Sequence, residues 1–305
     1  MPGLANRPVW RDIVVIHRVQ FPLPVNYVCY AVWGTLFATD DATRLLTAPA
    51  ILAAVAGFLL IVAPLALNVA VDHATDSQHA DKGYLAAAAG RFGRSRALDW
   101  AAAELLAGVL ALLVIGVRWG RWQPLVWAAL IVLAQLLYNV EPARLKRRGF
   151  AGSVAFGVAS AGFPCLVGYT AISAGFGGAV WLIFGGVAVL SVARTVWWAL
   201  PDHAADTASG IATPTVRHGL LRTHLAACGL LVAGLALLGC GLYRRYGPGW
   251  AALGLAAHVV FLGITVAQLP ATARGNPPHA TSMLRRAMPV ATLGDVLITV
   301  VPVVS

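Results

Sequence analysis

Apolar residues fill this chain in blocks of about twenty, separated by short polar stretches, with no strand-type alternation inside the blocks. A helix needs roughly 20 apolar residues to cross a bilayer, and it satisfies every backbone group within its own segment. The pattern predicts nine membrane-spanning helices, at about 21–39, 46–71, 97–117, 122–140, 150–172, 175–200, 221–243, 249–270 and 287–304. The last is short, and the third carries Asp99 and Glu104. The expected fold class is all-α: a polytopic membrane bundle forming one domain over residues 1–305.

Composition supports this. Hydrophobic residues make up 59% of the 305 and charged residues 11%, about half the ~25% of a soluble domain. A soluble or disordered chain is excluded. The net charge of +10 matters through its distribution. With the N-terminus cytoplasmic, sixteen basic residues fall in inner segments and five in outer ones, with Arg194 inside a span. That is the bias of cytoplasmic loops. The basic residues thus report orientation and anionic headgroups, and no nucleic-acid motif accompanies them. The expected location is a bacterial inner (plasma) membrane, N-terminus inside and C-terminus outside. The first twenty residues lack the apolar core and cleavage site of a signal peptide. Cys29, Cys165, Cys228 and Cys240 lie in spans without CxxC spacing, as ordinary buried thiols do.

Under this topology the long polar connections, about 72–96, 141–149, 201–220 and 271–286, share the cytoplasmic face. Of twelve acids, four form two i, i+4 pairs, Asp72/Asp76 and Asp202/Asp206, each just beyond a long span and 130 residues apart. The matched corners suggest a weak internal duplication of two half-bundles. Asn68 precedes Asp72 by one turn, so Asn68, Asp72 and Asp76 share a face if the helix continues. Pro201 suits a first helical position. Carboxylates about 6 Å apart repel by ~3 kcal/mol at an effective dielectric of ~20, so two facing pairs require a cation. Oxygen donors suit Mg²⁺, which joins a few carboxylates to substrate phosphates. The implied ligand is a diphosphate on a hydrophobic chain held in the bundle. A solvated helix end would explain one pair; two matched pairs in so charge-poor a chain favour the metal. His73, His79, His203 and His218 match no common zinc spacing.

Further elements surround these acids. In residues 137–149, LYNVEPARLKRRG, Tyr138 can hydrogen-bond an oxygen, and Arg144 and Lys146 offer charge to phosphate. An ordinary positive-inside loop would read alike. Arg194, two turns before Asp202, is costly inside a span without a partner such as diphosphate or a motif carboxylate. Glu104 and Asp295 either line the cavity or pair with a neighbouring helix.

At these residues the sequence resembles the UbiA superfamily of intramembrane prenyltransferases over nearly its whole length. The family's first motif, NDxxDxxxD, is matched by Asn68, Asp72 and Asp76, with Val69 in place of an Asp. Its second, DxxxDxxxD followed by Gly and Thr, is matched by Asp202, Asp206, Gly210 and Thr213, with Trp198 in the leading position. The YNVEPARLKRRG stretch is similar to the family's YSxPPxRLKRRG, placing Tyr138, Pro142, Arg144 and Lys146 in register, and Lys82 stands near a usual Arg-Pro pair. The resemblance implies nine transmembrane helices and Mg²⁺-dependent ionisation of an isoprenyl diphosphate. The allylic cation then passes to an acceptor, usually aromatic; cyclisation of the chain to a terpene is the alternative. Asn68, Asp72, Asp76, Asp202 and Asp206 are the implied metal ligands. Asn68, Lys82, Arg144, Lys146 and Arg194 are the implied diphosphate contacts. Tyr138 and Trp198 would face the cation through their rings, and the motif aspartates, Tyr138 and Arg194 would be catalytic. A transporter, the competing class, should carry its polar residues near the bilayer midplane.

Overall fold

In an apolar medium each block becomes a helix because helix alone pairs its own backbone. The computed structural model describes residues 9–39, 41–72 and 83–305, and among them there is no strand. The helices are α1 (Val9–Ile16), α2 (Leu23–Thr39), α3 (Ala48–Val71), α4 (Gly83–Phe92), α5 (Arg94–Trp119), α6 (Gln123–Asn139), α7 (Phe150–Ile172), α8 (Gly178–Trp198), α9 (His203–Ala208), α10 (Pro214–His218), α11 (Leu220–Tyr246), α12 (Pro248–Ala267), α13 (Leu269–Ala273) and α14 (Ala280–Val304). Among the described residues seven helices are long and apolar enough to cross a membrane: α3, α5, α7, α8, α11, α12 continued through α13, and α14. Helices α2 and α6 have 17 residues each, at the lower limit for a span. The protein is a polytopic integral membrane protein.

Contacts run round a ring: α3 on α5, α6 on α7, α7 on α8, α8 on α11, α11 on α12, α12 on α14, and α14 back onto α2. The two most extensive pairings, α3 with α5 and α8 with α11, occupy corresponding places in the two halves. Close approach depends on small residues, as is usual between membrane helices. At the α2–α7 crossing a Cβ on Gly34 would overlap the Cys165 carbonyl and the Tyr169 backbone nitrogen. The ring closes through side-chain hydrogen bonds between α2 and α14. Asn26 donates to Asp295 at 2.5 Å, Tyr30 to Asp295 at 2.9 Å, Trp33 to Thr299 at 2.8 Å, and Thr292 to Asn26 at 2.7 Å.

The polar connections contain more helix than the sequence pattern predicts. Residues 83–92, read as loop, form α4, whose Leu85, Ala88, Ala89 and Phe92 pack on Ile16 of α1 and on Ala66, Val69 and Ala70 of α3. Its alanine-rich stretch is a strong helix former, but it is too short to register as a span. Two ion pairs pin α1. Arg91 binds Asp12 at 2.6 Å, and His17 Nε2 lies 3.1 Å from Glu104. His17 Nδ1 faces the Ile13 carbonyl at 2.8 Å, so both nitrogens carry protons when both contacts are made. Burial disfavours that charge, but Glu104 outweighs it and the imidazole titrates above its ordinary range.

Helix α3 stops at Val71, with Asp72 as its C-cap at φ −90° and ψ 6°. Asn68 and Asp72 thus share the last turn of α3; Asp76 and Lys82, with His73 and His79, lie outside the described residues. A short helix does open beside Pro201: Asp202 is the N-cap of α9, so Pro201 stands just before that cap.

Candidate active site

Asp72 sits where α3 ends, and its carboxylate is held from two sides. Asn68, one turn earlier, donates from Nδ2 to Oδ2 at 2.9 Å. Oδ1 faces Lys146 Nζ and, at 3.4 Å, Arg144 Nη2. Arg144 adopts a φ of +31°, rare for a residue with a side chain and tolerated where surroundings enforce it. Its guanidinium also bonds Glu141 at 3.2 Å. The RLKRRG segment thus turns its basic side chains onto the first acidic motif.

The second motif begins at the end of α8. Asp202 and Asp206 are half-buried and one turn apart, the Asp206 amide donating to the Asp202 carbonyl at 2.9 Å. The Gly149 amide bonds the Ala212 carbonyl at 2.8 Å, and Phe150 stacks on His218 at 5.2 Å. These contacts lock the basic loop to the second acidic loop. Tyr138 stands at the last turn of α6, within electrostatic reach of Arg18, Asp72, Asp202 and Asp206. Its ring packs on Phe156 at 5.2 Å. Trp198 packs edge-on against Trp197 at 5.6 Å.

Arg194 has a partner other than the two the sequence suggested. It bonds Asp295 of α14 at 3.0 Å, with both side chains buried. Asp295 reaches Arg194 from inside the bundle. Glu104 likewise pairs with neighbouring groups, His17 and Trp100. Val69, at the position of a missing motif Asp, is fully buried in the apolar cluster under α1 and α4.

Two residues of the site escaped sequence reasoning. Arg18 donates to Asn68 Oδ1 at 3.0 Å, and Asn139 accepts from Asn68 Nδ2 at 2.9 Å while bonding the Gln135 carbonyl at 3.0 Å. Together they fix the Asn68 amide. Arg18 was indistinguishable from the other basic residues of the inner segments. Asn139, a lone amide at the end of an apolar run, was the available signal.

Among the described residues no three His, Cys, Asp or Glu side chains gather closely enough to cage a metal. The donors present are carboxylate and amide oxygens. That set fits a hard ion completing its shell with substrate oxygens, the usual habit of Mg²⁺, rather than a zinc-type site.

The fold and site define a helical membrane protein whose acidic and basic loops meet at one end of the bundle. Residues 27–284 match the UbiA prenyltransferase family, and the chain belongs to it. No curated protein matches the chain. Among solved structures it is similar to a UbiA homolog from Archaeoglobus fulgidus bound to GPP and Mg²⁺, at 12% identity and a TM-score of 0.69, covering 96% of this chain and 100% of that one. The same homolog bound to DMAPP and Mg²⁺ gives 15% identity and a TM-score of 0.63, with 96% and 100% covered. A digeranylgeranylglyceryl phosphate synthase gives 15% and 0.65, with 97% and 99% covered. At such identities the likeness is one of fold.

Proposed function

We propose that residues 1–305 form one catalytic domain of nine membrane spans that ionises an isoprenyl diphosphate and transfers the prenyl group to an aromatic acceptor. The observation that carries the reading is Asp72 placed between Asn68 and the Lys146/Arg144 pair, on a basic loop that the Gly149–Ala212 bond ties to the loop of Asp202 and Asp206. Asn68, Asp72, Asp202 and Asp206, with Asp76, would hold Mg²⁺, which when bound supplies positive charge to the departing diphosphate. Lys146 and Arg144 would bind phosphate oxygens and stabilise the charge that develops there; Lys82 remains a proposed diphosphate contact, while Arg194 is held in the core by Asp295. Arg18 and Asn139 orient the Asn68 amide. The homologs bound to GPP or DMAPP with Mg²⁺ support the substrate class.

Cyclisation is the second reading, favoured by the aromatic residues buried below the loops. Tyr30 and Trp33 lie 5.2 Å apart, and Trp197 and Phe261 pack edge-on at 5.2 Å. Such rings can stabilise a cation by about 2 kcal/mol when desolvated. Purified protein with Mg²⁺ and diphosphates of several chain lengths separates the two readings by mass spectrometry. Turnover that begins only when an aromatic acceptor is added is the expected result. Steady release of a cyclic hydrocarbon or alcohol without acceptor would replace transfer by cyclisation.

The proposed setting is a bacterial inner membrane with both acidic loops cytoplasmic, supported by the distribution of basic residues. Single cysteines at positions 146 and 206, in a background lacking the four native ones, should label from the same side in intact cells. Labelling from opposite sides would end this topology.

A further inference from the structure

Helix α1 has eight residues, too few for a helix to be stable on its own. What holds it is tertiary. Ile16 packs with α3 and α4, Arg91 binds Asp12 at 2.6 Å, and His17 Nε2 lies 3.1 Å from Glu104 of α5. Immediately after His17 the chain turns through Arg18, whose φ of +50° is rare for a residue with a side chain. Such a backbone persists only where its surroundings enforce it.

Arg18 carries the consequence to the site. Its Nη2 donates to Asn68 Oδ1 at 3.0 Å, while its buried Nε bonds no described residue. With Oδ1 held there, the Asn68 amide turns Nδ2 toward Asp72 and Asn139, each at 2.9 Å. Were the amide reversed, its oxygen would face the Asp72 carboxylate. The orientation that supports Asp72 therefore depends on where Arg18 stands, and Arg18 follows the residue anchored on Glu104.

That anchor depends on a proton. His17 Nδ1 faces the Ile13 carbonyl at 2.8 Å, and Nε2 faces Glu104 Oε2. Both partners are acceptors, so only the doubly protonated ring satisfies both. A neutral ring must aim a lone pair at one of them. Trp100 fixes Glu104 from its own helix, donating to Oε1 at 2.8 Å. With side chains 4% and 16% exposed, the His17–Glu104 pair is little screened by salt. The other charged groups about α1 are Asp12, taken by Arg91 of α4, and Arg18; α3 brings the apolar Ala66, Val69 and Ala70. Burial opposes the imidazolium but Glu104 prevails, raising its titration. The contact is thus complete below the ordinary imidazole range and is lost as pH rises through the raised value.

We propose that His17 and Glu104 are positioning residues of the site, a protonated latch that keeps Arg18 on Asn68 and so holds the Asp72 carboxylate in place; this rests on the function proposed above. When the latch loses its proton, α1 loosens from α5, Arg18 leaves the amide, and diphosphate release slows.

The test follows the full-length protein in detergent with Mg²⁺ from below to above the imidazole range. Two quantities are measured: protection of the α1 amides against hydrogen exchange, and diphosphate release from prenyl diphosphates of several chain lengths. In the parent both should fall together, by roughly tenfold, the scale of one charged hydrogen bond. Glu104→Gln removes the charge that favours the imidazolium and should move both transitions down by about 1 pH unit or more. His17→Gln keeps an N–H donor for Glu104 at every pH and should flatten both. Thermal melts identify the folded variants. A parent without these transitions, or transitions unmoved in either folded variant, overturns the latch. Protection that shifts while turnover does not confines the pair to holding α1 and overturns its positioning role. A parent that releases no diphosphate from any chain overturns the proposed function, and the positioning role with it, even where protection titrates as expected.

Discussion

Replacing Asp72 or Asp206 with Ala is expected to lower diphosphate release by roughly 10²–10³-fold, the scale of losing one stabilising group at a site of developing charge. The fold should survive. Asp72 lies at the rim, its side chain 15% exposed, and its partners are the solvent-reachable Lys146 and Arg144. Asp206 belongs to the half-buried start of α9. Both variants should therefore melt as cooperatively as the parent in detergent. Pyrophosphate release measured with and without EDTA checks the expectation. Turnover that persists in EDTA, or in the Asp72→Ala/Asp206→Ala double variant, would sink the metal mechanism.

Breaking the core pair should act on stability instead. Arg194→Ala or Asp295→Ala leaves the other charge buried without its counter-ion, at a cost of about 3–5 kcal/mol. Asp295 also holds Asn26 and Tyr30, so its loss orphans further buried donors. Replacing both charges together, Arg194→Met with Asp295→Leu, should recover much of that stability, because apolar pairs of similar volume often substitute for buried ion pairs without loss. Chemical denaturation in mixed micelles reads both effects. A double variant no more stable than either single one would contradict this account.

Hydropathy made most of the bundle legible. Blocks such as 46–71 and 175–200 became α3 and α8 with boundaries close to those read from the sequence. What hydropathy could not register were short amphipathic pieces such as α1 and α4, which are buried by contact with each other and with α3 rather than by lipid. The site divides along the same line. Asp72, Arg144 and Lys146 were legible because charge is rare here and local spacing carries information. Their convergence was not, since it depends on the turn at Arg144 and on the Gly149–Ala212 bond between distant loops. The partner of Arg194 was unreadable for a related reason. Asp295 follows it by 101 positions, and no local pattern links two lone charges in different helices.

The hydrogen bonds joining α2 to α14 also constrain how the chain is made. Trp33 and Thr299 are 266 positions apart, so this seam cannot form until α14 has been synthesised. Loop closure over such a separation comes late and at an entropic cost. Until α14 arrives, the Asn26 amide, the Tyr30 hydroxyl and the Trp33 indole lack their acceptors on it. Polar groups unmatched in lipid are costly. A nascent chain stalled before residue 292 would therefore carry a polar stripe on α2, a mark by which membrane quality control could tell an open seam from a closed one.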